Sequence, residues 1–269
     1  MQASSMMLAL AAQLPPGQII RAIQVSKLAN VPNSALPLAP RTLLTGLRRM
    51  PPSSSKIVGV CLAAVATLYL SWTVAWLLAG ALMEHSEWLT TDGGRTGYWT
   101  LMKALLWVLP SVLLIRYSGR TVRQTISRGS IQTTLVWGVG VGLLIGLEVL
   151  VRKHLAHQAL SISPSWGLLN ATMIAPVVEE FTFRGAIMGS LMRRYRFAIA
   201  NTATALLFLF SHFPGWYFQG TLWDNIAHPI GGAGSVFLLG WIFGFVVHRS
   251  NSVTAGVIAH SVNNFFSQL

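Results

Sequence analysis

Acidic residues are scarce in this sequence. Only seven of its 269 residues are Asp or Glu, charged residues of either sign make up 10%, and hydrophobic residues make up 53%. So little charge beside so much apolar content excludes an ordinary soluble domain. The composition therefore predicts an all-α, polytopic transmembrane helical bundle that lies in the lipid bilayer.

Three other absences narrow the possibilities. The single cysteine, Cys61, lies within an apolar run, so the chain can form no internal disulfide and its cysteine content does not identify a compartment. No internal repeat is evident. The sequence also lacks H-E-x-x-H, in which two histidines one helical turn apart flank the base of a zinc protease.

The net charge is strongly positive, at +12. The basic residues lie in short runs between apolar segments rather than on one face of a polar domain. That arrangement is typical of membrane topology signals, and it argues against a nucleic-acid partner.

Seven apolar segments are candidates for membrane spans, since a bilayer core of about 30 Å needs about 20 helical residues. They cover approximately residues 57–83, 99–115, 131–151, 166–192, 197–213, 230–247 and 252–266. Fourteen Lys and Arg residues fall before the first span and in alternate loops, against three in the opposite loops. Because basic residues are retained on the cytoplasmic side, we expect a cytoplasmic N-terminus, in a prokaryotic cytoplasmic membrane.

Residues 1–56 differ from the rest of the chain. They contain six basic residues, many Ser and Pro, and no acidic residue. This composition favours a basic cytoplasmic tail or a short amphipathic segment on the membrane surface, and a targeting segment is the alternative. The multi-pass membrane domain is accordingly predicted at residues 57–269.

Two of the seven acidic residues are adjacent within the fourth apolar segment. A charged side chain there costs at least about 2.5–3.5 kcal/mol, which makes Glu179 and Glu180 functional candidates. Successive helical residues point about 100° apart, whereas Glu180 and Arg184 are four residues apart and share a face. We therefore predict that Glu180 pairs with Arg184, and that Glu179 has a different partner and is available for chemistry.

The same segment has two features that affect packing. Pro176 is expected to free a backbone carbonyl, which a neighbouring group must satisfy at membrane depth. Gly185 and Gly189 form a smooth ridge that would allow another helix to pack closely.

Two further pairs of polar or aromatic residues lie in later apolar segments. Phe208 and His212 are four residues apart in the fifth segment, and His260 and Asn264 are four apart in the seventh. A histidine and an asparagine one turn apart present two polar groups to one point, which suits an oxyanion. Phe208 is expected to be a packing neighbour that shields His212.

Depth in the membrane links these residues. At about 1.5 Å per residue, the four polar candidates Glu179, His212, His260 and Asn264 lie about 17–24 Å from the basic flanks of their spans. They share one layer although they come from three separate helices. We therefore predict that they converge on one site.

The three motifs together resemble those of a known family. The segments E-E-F-T-F-R (residues 179–184), F-L-F-S-H (208–212) and H-S-V-N-N (260–264) are similar, in order, to the E-E-x-x-x-R, F-x-x-x-H and H-x-x-x-N/B motifs of the CPBP family. This family comprises CAAX-type prenyl endopeptidases and bacteriocin-processing or immunity membrane proteins, also called Abi proteins. The similarity covers about residues 166–266.

The resemblance implies an intramembrane glutamic-type endopeptidase that acts on membrane-anchored or lipidated protein substrates. Glu179 would be the general base, with His212 as its partner in activating water. His260 and Asn264 would stabilise the oxyanion. The supporting residues would be Glu180, Arg184 and Phe208. This mechanism requires no cofactor.

Other functions stay open. A zinc-dependent variant could use Glu179 and the two histidines as ligands, with water in the fourth position. A non-enzymatic immunity or scaffold protein of the same fold would use the site only to bind. A proton-coupled transporter also uses buried carboxylates, but it predicts paired repeats, which are not evident in this sequence.

Overall fold

The computed structural model describes residues 52–269, so most of the predicted N-terminal tail lies outside the described residues. The described part consists of helices and connecting loops, without a β-strand. In chain order the helices are α1 (Ser54–Met83), α2 (Glu87–Thr90), α3 (Asp92–Tyr117), α4 (Val122–Ile126), α5 (Ile131–Leu155), α6 (residues 166–191), α7 (Phe197–Phe210), α8 (Phe213–Phe218), α9 (Leu222–Ala227), α10 (Ala233–Ser250) and α11 (Val253–Gln268). The predicted all-α architecture is confirmed for this part of the chain.

Five helical segments within residues 52–269 are long and apolar enough to cross a membrane: α1, α3, α5, α7 together with α8, and α10. They correspond to five of the seven predicted spans, and the chain is an integral membrane protein. The other two predicted spans are also helical. However, α6 is broken into short α- and π-helical segments, and α11 has only 16 residues. Crossing of the bilayer by α6 and α11 stays a prediction.

Contacts between loops define two ends of the helical bundle. At one end, the backbone amide of Arg128 donates to the carbonyl of Asn251 at 3.0 Å, which joins the segment after α4 to the turn after α10. At the other end, the Asp92 carboxylate accepts from the amides of Trp166 and Gly167 at 2.7 and 3.1 Å. The helices therefore run alternately between the two ends. The end at Arg128 carries the basic loops, and its cytoplasmic location stays a prediction.

A row of glycines on α5 allows it to pack directly against α11. Gly138, Gly142 and Gly146 are spaced four residues apart and are buried. A Cβ atom at Gly142 would lie 2.8 Å from Cβ of Val262, and one at Gly146 would overlap the ring of Phe266. Only glycine therefore permits this separation between the two helices.

Enlarging Gly142 is expected to force α5 and α11 apart. We expect Gly142→Val to destabilise the protein by about 1–3 kcal/mol, as overpacking in a close contact generally does. The measurement is the thermal unfolding temperature in detergent. Gly140→Val is the matched control, because nothing lies within 4 Å of its Cβ position. Equal losses in the two variants would mean that this contact does not determine the packing.

The glycine ridge predicted on α6 packs against a short helix and a side chain. A Cβ atom at Gly185 would lie 3.0 Å from Cγ2 of Thr125 in α4, and one at Gly189 would overlap the guanidinium of Arg120. The ridge therefore receives α4 and Arg120 rather than a membrane-spanning helix.

Candidate active site

Helix α6 carries both glutamates, and it is irregular on either side of them. The α-helical segment Ala175–Glu180 is flanked by π-helical segments at Asn170–Ile174 and Phe181–Met188. In a π-helix each carbonyl pairs with the amide five residues on, and such segments are frequent at functional sites. Side chains from other parts of the chain bind several carbonyls in this irregular region.

Pro176 explains why one of these carbonyls has no backbone donor. In the π-helical register the partner of the Ala171 carbonyl would be residue 176, and proline has no amide hydrogen to donate. Nδ2 of Asn264 in α11 donates to this carbonyl at 2.8 Å. The expectation that a neighbouring group satisfies a carbonyl near Pro176 is therefore confirmed, and the group is Asn264.

Glu180 is completely buried and binds two side chains through one oxygen. Its Oε1 accepts from Nη1 of Arg184 at 2.9 Å and from Nδ1 of His260 at 3.0 Å. Arg184 also donates from Nη2 to the carbonyl of Gly240 in α10, at 2.6 Å. The predicted ion pair between Glu180 and Arg184 is present, and its contacts join α6 to α10 and α11.

Glu179 has a different partner, a lysine on α3. Nζ of Lys103 donates to Oε1 of Glu179 at 2.7 Å, and the two side chains are 10% and 12% exposed. The ammonium also lies 5.5 Å from the centre of the Trp107 ring, within the range of a cation–π interaction. The buried Glu179 carboxylate is thus balanced by a cation that takes no part in the other ion pair.

His260 lies between the two glutamates. Its Nδ1 donates to Glu180, and its Nε2 lies 3.9 Å from Oε2 of Glu179. The imidazole stacks on Phe243 of α10, with ring centroids 4.6 Å apart and planes 19° apart. These contacts fix the ring so that Nε2 is directed toward Glu179.

His212 occupies the turn between α7 and α8. Its Nδ1 lies 2.8 Å from the carbonyl oxygen of Phe208. Because a carbonyl only accepts hydrogen bonds, Nδ1 carries the hydrogen, and Nε2 of the neutral ring is an acceptor. The Phe208 ring packs edge-on against His212 at 4.8 Å and lies 4.6 Å from Cζ of Arg184. Phe208 therefore contacts both the histidine and the ion pair.

Glu179 and His212 line the same cavity, which has a volume of about 180 Å³. A water molecule takes about 30 Å³ in the liquid, so the cavity has room for several. Lys103 and Ser211 add polar groups to its wall. The aromatic part of the wall includes Trp72, Trp76, Trp107 and Trp216. The site combines a carboxylate, an imidazole and an ammonium within aromatic surroundings.

The structure brings the predicted site residues together unequally. Glu179 and His212 share the cavity. His260 reaches Glu179 with Nε2, whereas Asn264 contacts the α6 backbone and does not line the cavity. Glu179 therefore has His212 and His260 as neighbours, whereas Asn264 binds the α6 backbone instead of the point predicted for it. The catalytic roles stay predictions.

Lys103 is the site residue that the sequence analysis missed. It is the one charged residue in the predicted span at 99–115. The rule that identified Glu179, that a charge at membrane depth marks a functional site with a partner, applies equally to this lysine. Its charge in an apolar run was the signal that could have found it.

Within residues 52–269, no three His, Cys, Asp or Glu side chains are grouped so that they could hold a metal ion. One oxygen of Glu179 is also bound by Lys103. The zinc-dependent alternative would therefore require side chains of the site to rearrange.

The fold and the site together define an integral-membrane helical bundle in which a buried glutamate and a histidine face one cavity. Residues 161–266 match the model of a family described as type II CAAX prenyl endopeptidase Rce1-like. The matched segment contains all three motifs, and the resemblance to CAAX-type membrane proteases is confirmed for this part of the chain. No curated protein and no solved structure matches the chain significantly.

Proposed function

We propose that this protein is a glutamic-type intramembrane endopeptidase that cleaves membrane-anchored or lipidated protein substrates. Glu179 and His212 line one cavity, and this arrangement is the main support for the proposal. A water molecule between the two side chains would have a hydrogen-bond acceptor on each side. The matched family is one of endopeptidases, which supports this class of reaction.

In the proposed reaction Glu179 acts as the general base. Its carboxylate removes a proton from the water, while Nε2 of His212 accepts the second hydrogen bond and orients the oxygen. The oxygen attacks the scissile carbonyl carbon and forms a tetrahedral oxyanion. The proton on Glu179 then passes to the leaving amine as the C–N bond breaks. Water alone is the nucleophile, and no covalent intermediate forms.

The resemblance to the third family motif supports His260 and Asn264 as hydrogen-bond donors to the oxyanion. Neither residue lines the cavity, so Asn264 would have to turn its amide toward the substrate. Hydrogen-bond donors that are already oriented in a site with little water stabilise the developing negative charge more strongly than donors in bulk water do. Glu180 holds His260 at Nδ1, and Phe243 stacks on one face of its ring. Because Nδ1 carries the hydrogen directed to Glu180, Nε2 can donate to the oxyanion only when the imidazole is doubly protonated. Asn264 has a second hydrogen on Nδ2 besides the one donated to the α6 backbone. The ion pair on α6 is proposed to hold His260 in place.

A neighbouring cavity favours a substrate with a hydrocarbon portion. Trp76 and Gln219 border both the site cavity and a second cavity of about 240 Å³. Apart from Arg95, the rest of its wall is apolar or aromatic: Ala79, Met83, Leu89, Tyr98 and Trp99. Apolar, aromatic walls of this kind suit a lipid chain or an apolar segment next to the scissile bond.

Cleavage of matched peptides tests the proposal. The purified protein in detergent is given two peptides of one sequence, one with an S-farnesyl cysteine near its C-terminus and one with an apolar membrane anchor instead. We expect one or both to be cleaved, at a rate that a metal chelator leaves unchanged. Mass spectrometry of the products identifies the bond that breaks.

Each other outcome points to a different function. Loss of cleavage with a chelator and its recovery with zinc would establish the zinc-dependent variant. Binding of both peptides without cleavage would favour the immunity or scaffold protein. Substrate uptake into proteoliposomes without cleavage would indicate a transporter.

Lys103 is expected to matter for activity because it holds the Glu179 carboxylate. We expect Lys103→Met to lower kcat by about 10- to 100-fold, since small misplacements of a catalytic group have effects of that size. Lys103→Arg keeps the charge and should retain more activity. Lys153→Met is the control, because Lys153 does not line the site cavity and its ammonium donates to the Ser267 carbonyl at 3.3 Å. Equal activity of the Met and Arg variants at position 103 would contradict this role.

A further inference from the structure

A cavity at the basic end of the bundle shares no lining residue with the cavity around Glu179, although Arg184 of the buried ion pair borders it. It has a volume of about 270 Å³ and lies between α4, the end of α6 and the turn that joins α10 to α11. Its wall includes Arg120, Arg128 and Arg193, and we call it the arginine pocket. Its composition differs from that of the aromatic cavity around Glu179.

Arg120 is fixed in this pocket by the irregular backbone of α6. It donates to the carbonyls of Gly185 and Ala186 at 2.8 and 3.2 Å, both within the second π-helical segment. Burial, and then the positive charges of Arg128 and Arg193, lower the pKa of Arg120 to about 10. The positive charges of Arg128 and Arg193 therefore act on Arg120.

No carboxylate balances these three charges. The whole chain has seven acidic residues. Two of them, Glu179 and Glu180, are buried and paired with Lys103 and Arg184. The other five lie toward the opposite end of the helices: Glu84, Glu87, Asp92, Glu148 and Asp224. A concave site with three like charges and no counter-charge in the chain is suited to an external anion.

We propose that the arginine pocket binds the phosphate group of an anionic phospholipid. Guanidinium groups match phosphate oxygens in charge and geometry, and basic pockets between helices at the cytoplasmic side of membrane proteins bind lipid headgroups. The basic loops at this end place the pocket at the level of the headgroups.

The wall of the pocket distinguishes a lipid from free phosphate. Beside the arginines it includes apolar side chains from the end of α6, the residue after it, α10 and α11: Met188, Met192, Val247 and Val253. Contact with such an apolar surface does not stabilise a bound soluble anion. A phospholipid can bury the part of its acyl chains nearest the headgroup against the same surface, which favours binding. The pocket therefore fits an amphiphile better than an ion.

Lipid titration of the full-length protein tests this site. The protein in a neutral detergent is titrated with phosphatidylglycerol or phosphatidylcholine at high salt, which screens diffuse attraction, and bound lipid is counted by native mass spectrometry. Arg128→Gln with Arg193→Gln removes two exposed charges from the pocket. Arg194→Gln with Arg196→Gln removes two charges from the same end without altering the pocket wall.

We expect one phosphatidylglycerol to bind more tightly than phosphatidylcholine. Each arginine near the headgroups contributes roughly a fivefold gain in affinity. The pocket variant lacks two arginines, so it should bind phosphatidylglycerol about 25-fold more weakly. The control variant should bind this lipid as the unchanged protein does. Equal weakening in the two variants, or none in either, would overturn the proposal. If inorganic phosphate displaced the lipid at a concentration similar to that of the lipid, the pocket would be a site for free phosphate rather than for a phospholipid.

Discussion

Glu179→Gln is expected to lower kcat for substrate cleavage by about 10²- to 10⁴-fold, the range that a positioned general base contributes. Glutamine keeps the shape of the side chain and can still contact Lys103 through its carbonyl oxygen. It cannot take a proton from water. The substrate should bind to the variant as before, so the loss should appear in kcat rather than in KM.

Glu148→Gln is the matched control for this prediction. The chemical change is identical, but Glu148 is exposed and pairs with Arg152 at 3.6 Å near the end of α5. The two variants should unfold at similar temperatures, and only Glu179→Gln should lose activity. His212→Ala should also lose activity, because the water would lack its second acceptor. Normal cleavage by Glu179→Gln would show that the catalytic assignment is wrong.

The ion pair on α6 could be predicted because the local geometry of a helix is regular. Residues four apart face the same way, so the pairing of Glu180 with Arg184 required no knowledge of other helices. Similar reasoning along the helix axes placed the polar residues of three helices at one depth. Spacing and depth therefore identified most of the site.

The partner of Glu179 could not be derived in that way. Lys103 lies 76 residues before it in sequence, and nothing in the spacing of either helix indicates that α3 packs beside α6. The charge of Lys103 could have marked it as a candidate. Its pairing with Glu179, rather than with Glu180, depends on how the helices are rotated.

His260 and Asn264 have different partners because α6 is irregular. They share one face of α11 and were expected to serve one point. In the structure His260 binds Glu180, while Asn264 binds the Ala171 carbonyl about two turns earlier in α6. The π-helical segments of α6 change which carbonyls need a donor, and a regular helical pattern does not reveal them.

Removing Arg184 is expected to cause the largest loss of stability among the proposed single variants. Both side chains of its ion pair with Glu180 are completely buried, at 0% exposure. Arg184→Met would leave a carboxylate in the core without its main cation, and breaking a buried pair in this way costs about 3–5 kcal/mol. The measurement is thermal unfolding in detergent, with ligand-free protein.

Two further variants separate lost charge balance from lost packing. Arg152→Met removes the cation from the exposed pair with Glu148, whose side chains are 54% and 65% exposed, and should cost about 0–1 kcal/mol. The double variant Glu180→Gln with Arg184→Met has no unbalanced carboxylate, so it should recover part of the lost stability. If the double variant were no more stable than Arg184→Met, the loss would come from the missing contacts to Phe208 and the Gly240 carbonyl. The ion pair would then hold α6 to α10 by packing and hydrogen bonding rather than by charge.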